Sequence, residues 1–202
     1  MKLRPTNHHI SKHKAIPALL LILVALFAAP LVPAAPGQVT VEGVDFKREV
    51  RVNDAILALR GCGLLRYMIF IKAYVAAFYL PKNVRSEDAL TDVPKHLEIE
   101  YFHPIVAQDF AKATSASISQ NTSLVTYQGL KPKIDELNAL YRDIAPGDRY
   151  ALTYIPGQGT TLAWNGQTLG TVAGREFAAA LFGIWIGANP LDSNLKDLLL
   201  GE

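Results

Sequence analysis

Arg66 stands between the run Gly61-Cys62-Gly63 and a mostly apolar stretch ending at Pro81, in which Lys72 is the lone charge. Ile69, Phe70, Ile71, Val75, Phe78 and Tyr79 are β-formers, and Gly63 and Pro81 bound the run. That pattern predicts a buried strand over 69–80, entered through a Gly-x-Gly turn. Burying an arginine without a partner is costly. Arg66 is therefore expected to face either a structural carboxylate, such as Glu98 or Glu100 across the sheet, or the anionic head of a ligand. A guanidinium presents a planar fork of donors that suits a carboxylate or a developing oxyanion. Tyr74 adds a phenol on the same strand, which can donate a hydrogen bond or simply pack in the core.

The other candidates divide between chemistry and structure. His103 precedes a helix, where it is either an axial ligand for haem or a loop residue. Glu98 and Glu100 share a strand face with His96 and read as solvated. Lys72 reads as a snorkelling lysine. Cys62 is the only cysteine, so the chain holds no internal disulfide and no Cys-x-x-Cys-His for covalent haem attachment. Between two glycines it reads as a small buried apolar residue. Gly157-Gln158-Gly159 precedes a strand and not a helix, so it is a turn and not a phosphate cradle.

These residues must be positioned by one domain. Lys2, Arg4, Lys12 and Lys14 precede an apolar run from Ala15 to Val32, followed by Val32-Pro33-Ala34. This reads as a secretory signal peptide over 1–34, cut after Ala34, which implies a periplasmic or secreted protein. The competing reading is an uncleaved anchor, but the run is shorter than the ~20 residues of a comfortable span and carries Pro17 and Pro30. Losing those four bases from a total of 20 leaves 16 against 18 acids, a net charge of −2. That balance lacks the basic footprint of a nucleic-acid binder. Membrane contact is expected only through the N-terminal segment. Residues 35–202 suffice for one core.

Val39–Val52 predicts two short strands with a turn at Glu42-Gly43, and Ile56–Arg60 a strand leading to the Gly61 turn. Ser86–Leu90 predicts a short helix. In His96–Phe102, Leu97, Ile99 and Tyr101 alternate with His96, Glu98 and Glu100, giving one buried and one wet face. Pro104 is placed at the first turn of a helix carrying Val106, Phe110, Ala113 and Ser117 at helical spacing. Pro132–Ile144 predicts a second amphipathic helix. Strands follow at Tyr150–Ile155, Thr160–Trp164 and Gln167–Val172, the last two joined by Asn165-Gly166, a type I′ hairpin signal. Gly174 opens an almost wholly apolar helix, and Asn189-Pro190 caps a final one burying Leu191, Leu195 and Leu198 or Leu199. The order implies an α+β fold, an antiparallel sheet with helices packed on one face.

Gly61–Gly63, Arg66, Phe70-Ile71-Lys72-Ala73-Tyr74 and Tyr79-Leu80-Pro81 resemble the chalcone isomerase superfamily, in particular its bacterial chalcone isomerase-like branch. The blocks GDRYALTYIPGQGTTLAWNGQTLG and FAAALFGIWIGANPLDSNLKDLLLG agree, and the resemblance spans roughly residues 39 to 201. It implies a large curved sheet with helices on its concave side and a ligand cleft between them. In the family's enzymes an arginine stabilises a phenolate while a threonine and a tyrosine polarise the ketone. The arginine maps to Arg66. The threonine position holds Tyr74, the tyrosine falls near Phe110, the asparagine near Ser117 and a later hydroxyl on Gly174. With only the arginine intact, flavonoid cyclisation is not expected. The resemblance implies a non-catalytic binder of a hydrophobic carboxylate, a fatty acid or a haem-like molecule, in a cleft lined by Arg66, Tyr74 and Phe110. No cofactor is required, although haem could meet Arg66 through its propionates. Two alternatives stand beside it: an isomerase or intramolecular lyase acting on an enone through Arg66 and Tyr74, and a structural or partner-binding envelope protein.

Overall fold

A computed structural model of the chain describes residues 37–202 apart from Ile69. The segment read as a signal peptide, with its histidines, lies outside the described residues. The order is β1 (Gln38–Val41), β2 (Val44–Lys47), β3 (Glu49–Val52), β4 (Ala55–Tyr67), β5 (Ile71–Leu80), a 3-10 turn (Ser86–Asp88), β6 (Lys95–Tyr101), α1 (Ala107–Asn121), α2 (Leu124–Asn138), β7 (Arg149–Ile155), β8 (Gly159–Trp164), β9 (Gln167–Val172), α3 (Arg175–Ile186) and α4 (Ser193–Leu200). β3 to β9 form a curved, seven-stranded antiparallel sheet in chain order, and β1 and β2 pair separately. The tight turns sit where expected. Glu42-Gly43 and Asn165-Gly166 both have two successive positive φ angles, the type I′ geometry.

β4 corrects the sequence reading. It runs straight through Gly61-Cys62-Gly63, so no turn lies there. The glycines instead admit α4. A β-carbon on Gly61 would run into the Leu198 carbonyl, and one on Gly63 would lie 2.8 Å from Leu198 Cδ1. Val39–Val52 also holds three strands and not two, because β3 leaves the hairpin to become the sheet edge.

β5 explains its own apolar continuity. Tyr74, Ala76, Phe78 and Leu80 join the large core beneath the helices. Val75, Ala77 and Tyr79 join a second cluster with Val44, Phe46 and Leu57 beneath the β1–β2 hairpin. A strand covered on both faces has no polar alternation. The same cover corrects the wet face expected for β6. His96 is buried and bonds Thr153 Oγ1 at 2.7 Å and Glu98 at 3.2 Å. Arg149 pairs with Glu98 at 3.1 Å and Glu100 at 2.6 Å and stands over the Phe46 ring.

Helix boundaries shift for local reasons. α1 begins at Ala107 and not at Pro104, because Ile105 is held in a β-bridge to Ile144. α2 starts earlier than Pro132, which lies inside it. Ser123 Oγ accepts from the Thr126 N–H at 3.1 Å and starts the helix there. The cap of α4 is Asp192, which accepts from the Leu195 N–H at 2.7 Å, in place of Asn189. Leu195, Leu199 and Leu200 are its buried residues, while Leu191 and Leu198 are exposed. All these elements fall within one compact unit, Ala34–Glu202. It contains both apolar clusters.

Lys95 is fully buried, donating to the Thr91 carbonyl at 2.8 Å beside the Tyr154 ring. Burial pushes its ammonium from 10.5 down to about 8, with Asp92 opposing. The folded pKa is depressed, so between about pH 8 and 10.5 the unfolded chain binds more protons. Stability should therefore rise with pH across that window, by about 3 kcal/mol from this group. Burial raises Tyr141 and Tyr154 to about 12, so above pH 10 the folded chain holds protons the unfolded one loses, and stability falls again. Urea titrations from pH 7 to 11 should show a maximum near pH 9 to 10, and Lys95→Met should remove the rising limb.

Candidate ligand cavity

A cavity of about 490 Å³ opens between the helix-covered face of the sheet and helices α1 and α3. On a regular strand, neighbouring residues face opposite ways. Here the register passes from Leu65–Tyr74 to Arg66–Lys72, leaving Ala73 as an extra residue. This bulge re-aims the ends of both strands, and Leu65, Arg66, Tyr67, Ala73 and Tyr74 all line the cavity. From α1, Phe110, Ala113, Thr114 and Ser117 face it at i, i+3, i+4 and i+7.

The inner wall is aromatic. Phe110 stacks on Tyr141 with centroids 5.3 Å apart and meets Tyr101 and Tyr150 edge-on, each at 5.3 Å. The polar tips are mostly engaged. Tyr141 shares a 2.8 Å hydrogen bond with Thr114. Tyr150 donates to the Arg142 carbonyl at 2.9 Å and accepts from the Arg142 N–H at 2.7 Å. Tyr74 accepts from the Trp185 indole N–H at 3.0 Å. A hydroxyl has one donor and two acceptor sites, so its own O–H stays available to a ligand. Burial holds the Tyr74 and Tyr101 phenols well above their ordinary range. They remain protonated and serve as donors, not bases.

Arg66 lies at the mouth, not in the interior. Its side chain is 46% exposed, and its partner is Glu42 at 3.5 Å, from the β1–β2 turn. The expected pairing with Glu98 or Glu100 does not occur, because those acids lie on the other face and belong to Arg149. Lys72 holds the same Glu42 at 2.5 Å, and its hydrogen bond is the main reason that carboxyl sits below its ordinary value. Among the described residues lining the cavity, Arg66 is the one cation. Asp109 and Asp192 also reach the rim. Asp109 is 3.4 Å from Lys112, and Asp192 is occupied as the α4 cap.

A model of the chalcone isomerase-like family matches residues 38–201. The chain belongs to this family. Among solved structures, a fatty-acid binding protein of Arabidopsis thaliana is similar in fold, with a TM-score of 0.66 at 16% identity, over 81% of this chain and 96% of that one. At that identity the likeness concerns the fold. No curated protein sequence matches the chain.

This chalcone isomerase-like protein brings Arg66, Tyr74, Phe110 and Ser117 around one cavity. Gly174 is elsewhere, as the N-cap of α3 with φ 114°. Of the histidines among the described residues, His103 is exposed and His96 is on the opposite face, and neither lines the cavity. The residues present do not fit a histidine-ligated haem. Sequence reasoning missed Glu42, Tyr101, Thr114, Tyr141 and Trp185. The helical spacing of Phe110, Ala113 and Ser117 pointed toward Thr114. For the others, only tertiary packing supplies the signal.

Proposed function

We propose that this protein is a non-catalytic binder of an amphiphile with an apolar body and an anionic head, of the fatty-acid class. The observation that carries the reading is a cavity of about 490 Å³, within the usual range for small-molecule sites, walled by aromatic and aliphatic side chains, with Arg66 the one cation among the described residues that line it. The body lies against Phe110 and the tyrosines. Arg66 receives the carboxylate at the rim, and Tyr74 donates from within. Arg66 can turn to the ligand at little cost, because an exposed ion pair contributes about 0–1 kcal/mol and Lys72 keeps Glu42 neutralised. This reading requires no cofactor. The similar fold of a plant fatty-acid binding protein supports the same class of ligand. The basic and apolar N-terminal pattern supports action in the periplasm or outside the cell.

Residues 35–202, purified natively, should yield a long-chain carboxylate on extraction and mass spectrometry, and should bind the fluorescent fatty acid cis-parinaric acid. Ala113 is exposed on α1 yet lines the cavity, so bulk added there blocks the space without straining the core. Ala113→Trp should weaken binding at least about tenfold with an unchanged melting midpoint. Undiminished affinity would place the ligand elsewhere. Enone turnover lost in both Arg66→Ala and Tyr74→Phe would replace this reading with the catalytic one.

A further inference from the structure

The hairpin between β4 and β5 ends in an apolar tip that no other element covers among the described residues. Tyr67 is 62%, Met68 70%, Phe70 86% and Ile71 44% exposed. Tyr67 and Ile71 pair across the hairpin just below the tip. Tyr67 also lines the cavity, so the tip continues directly into the mouth. On another part of the same rim, Leu191 is 55% exposed and also lines the cavity. A soluble protein gains nothing by presenting such side chains to water, and clustered exposure of this kind marks an interaction surface.

We propose that the β4–β5 tip is a lipid-bilayer docking device, through which an amphiphile passes between a membrane and the cavity. The passage rests on the ligand reading above, whereas the docking does not. Two observations favour a bilayer over a protein partner. The exposed apolar area of the four side chains is on the order of 500 Å², below the roughly 800 Å² per partner of a stable protein interface. The patch also borders the mouth, so insertion lets an apolar body leave the bilayer without crossing water. Charge does not drive the contact. Arg66 and Lys72 are offset by Glu42, Asp109 and Asp192 around the same mouth, so the attraction comes from buried apolar area and needs no anionic lipid. This contact lies within the folded domain and is separate from any N-terminal anchor.

The test is flotation of residues 35–202 with phosphatidylcholine vesicles, with and without phosphatidylglycerol. The parent protein should float with both, to a similar degree. The double variant Met68→Ser/Phe70→Ser should lose at least about tenfold in partitioning. Neither side chain lines the cavity, so its affinity for cis-parinaric acid added from solution should stay within about twofold. Failure of the parent to float, or equal flotation of the variant, overturns the docking. Concentration-dependent self-association of the parent that the variant loses, without flotation, would reassign the patch to a second copy of the chain and also overturn it. Loss of cis-parinaric acid binding in the parent with flotation intact would remove the ligand reading alone.

Discussion

Gly61→Val is expected to destabilise the fold by about 3 kcal/mol or more, and Gly61→Ala by a large part of that. The reason is backbone meeting backbone. A β-carbon at 61 meets the carbonyl oxygen of Leu198 and, at 3.0 Å, its carbonyl carbon. A flexible side chain could step aside, but α4 cannot. Leu195 and Leu199 anchor it in the core, and Gly201 ends it in the left-handed region at φ 74°. Gly63 is the milder case, because its obstacle is the Leu198 side chain. Leu198→Ala removes the Cδ1 contact but leaves the Leu198 β-carbon at 2.9 Å and Leu195 Cδ1 at 3.1 Å, so it should relieve Gly63→Ala only in part and leave Gly61→Ala unrelieved. Gly129 supplies the contrast. It lies exposed inside α2 with nothing within 4 Å of an added β-carbon, and Gly129→Ala should stabilise by about 0.5–1 kcal/mol. Urea unfolding of these variants checks the ordering. Gly61→Ala at parental stability would mean that α4 is not seated as described.

Arg66→Ala should weaken a long-chain carboxylate by about 10- to 100-fold, the worth of a hydrogen bond to a charged group. It should change the affinity for the matching alcohol by less than about twofold, because the alcohol brings no charge to the rim. The melting midpoint should hardly move, since Arg66 is nearly half exposed and its pair with Glu42 is of the surface kind. Glu42→Gln should act in the opposite direction and tighten the carboxylate a few-fold by releasing the guanidinium. Calorimetric titrations of acid and alcohol on the three proteins separate these effects. A carboxylate that binds Arg66→Ala as tightly as the parent would place the head group deeper, at the Tyr74 hydroxyl. Equal losses for acid and alcohol would show that the substitution disturbed the cavity wall and not a charge contact.

Much of this site lies in segments whose type was plain from their residues, while the assembly was not. The apolar run of β5, the Asn165-Gly166 hairpin and the Phe110, Ala113, Ser117 spacing are local patterns, and local φ preference and periodicity carry them. The run Gly61-Cys62-Gly63 shows where local reasoning stops. A Gly-x-Gly run suits a turn and a close approach equally well, and only α4, more than a hundred residues away, distinguishes them. Pro132 misled for a related reason. A proline favours a helix start, but the Ser123 cap had already begun the helix. The burial of Arg66 was inferred from its apolar neighbours. Those neighbours are buried farther along β5, whereas Arg66 pairs with Lys72 near the exposed end of the β4–β5 hairpin.

By itself, the sequence determined the α+β class, the family, most strands and the turn chemistry, because each depends on residues close in the chain or on a motif read in order. Tertiary structure alone decided that β5 is covered on both faces, that Glu98 and Glu100 belong to Arg149, and that Arg66 answers to Glu42. It also decided that Tyr74, Tyr101, Phe110, Tyr141 and Trp185 enclose one space. Those relations join side chains from separate elements, and their energies depend on distance and burial, which no local pattern encodes.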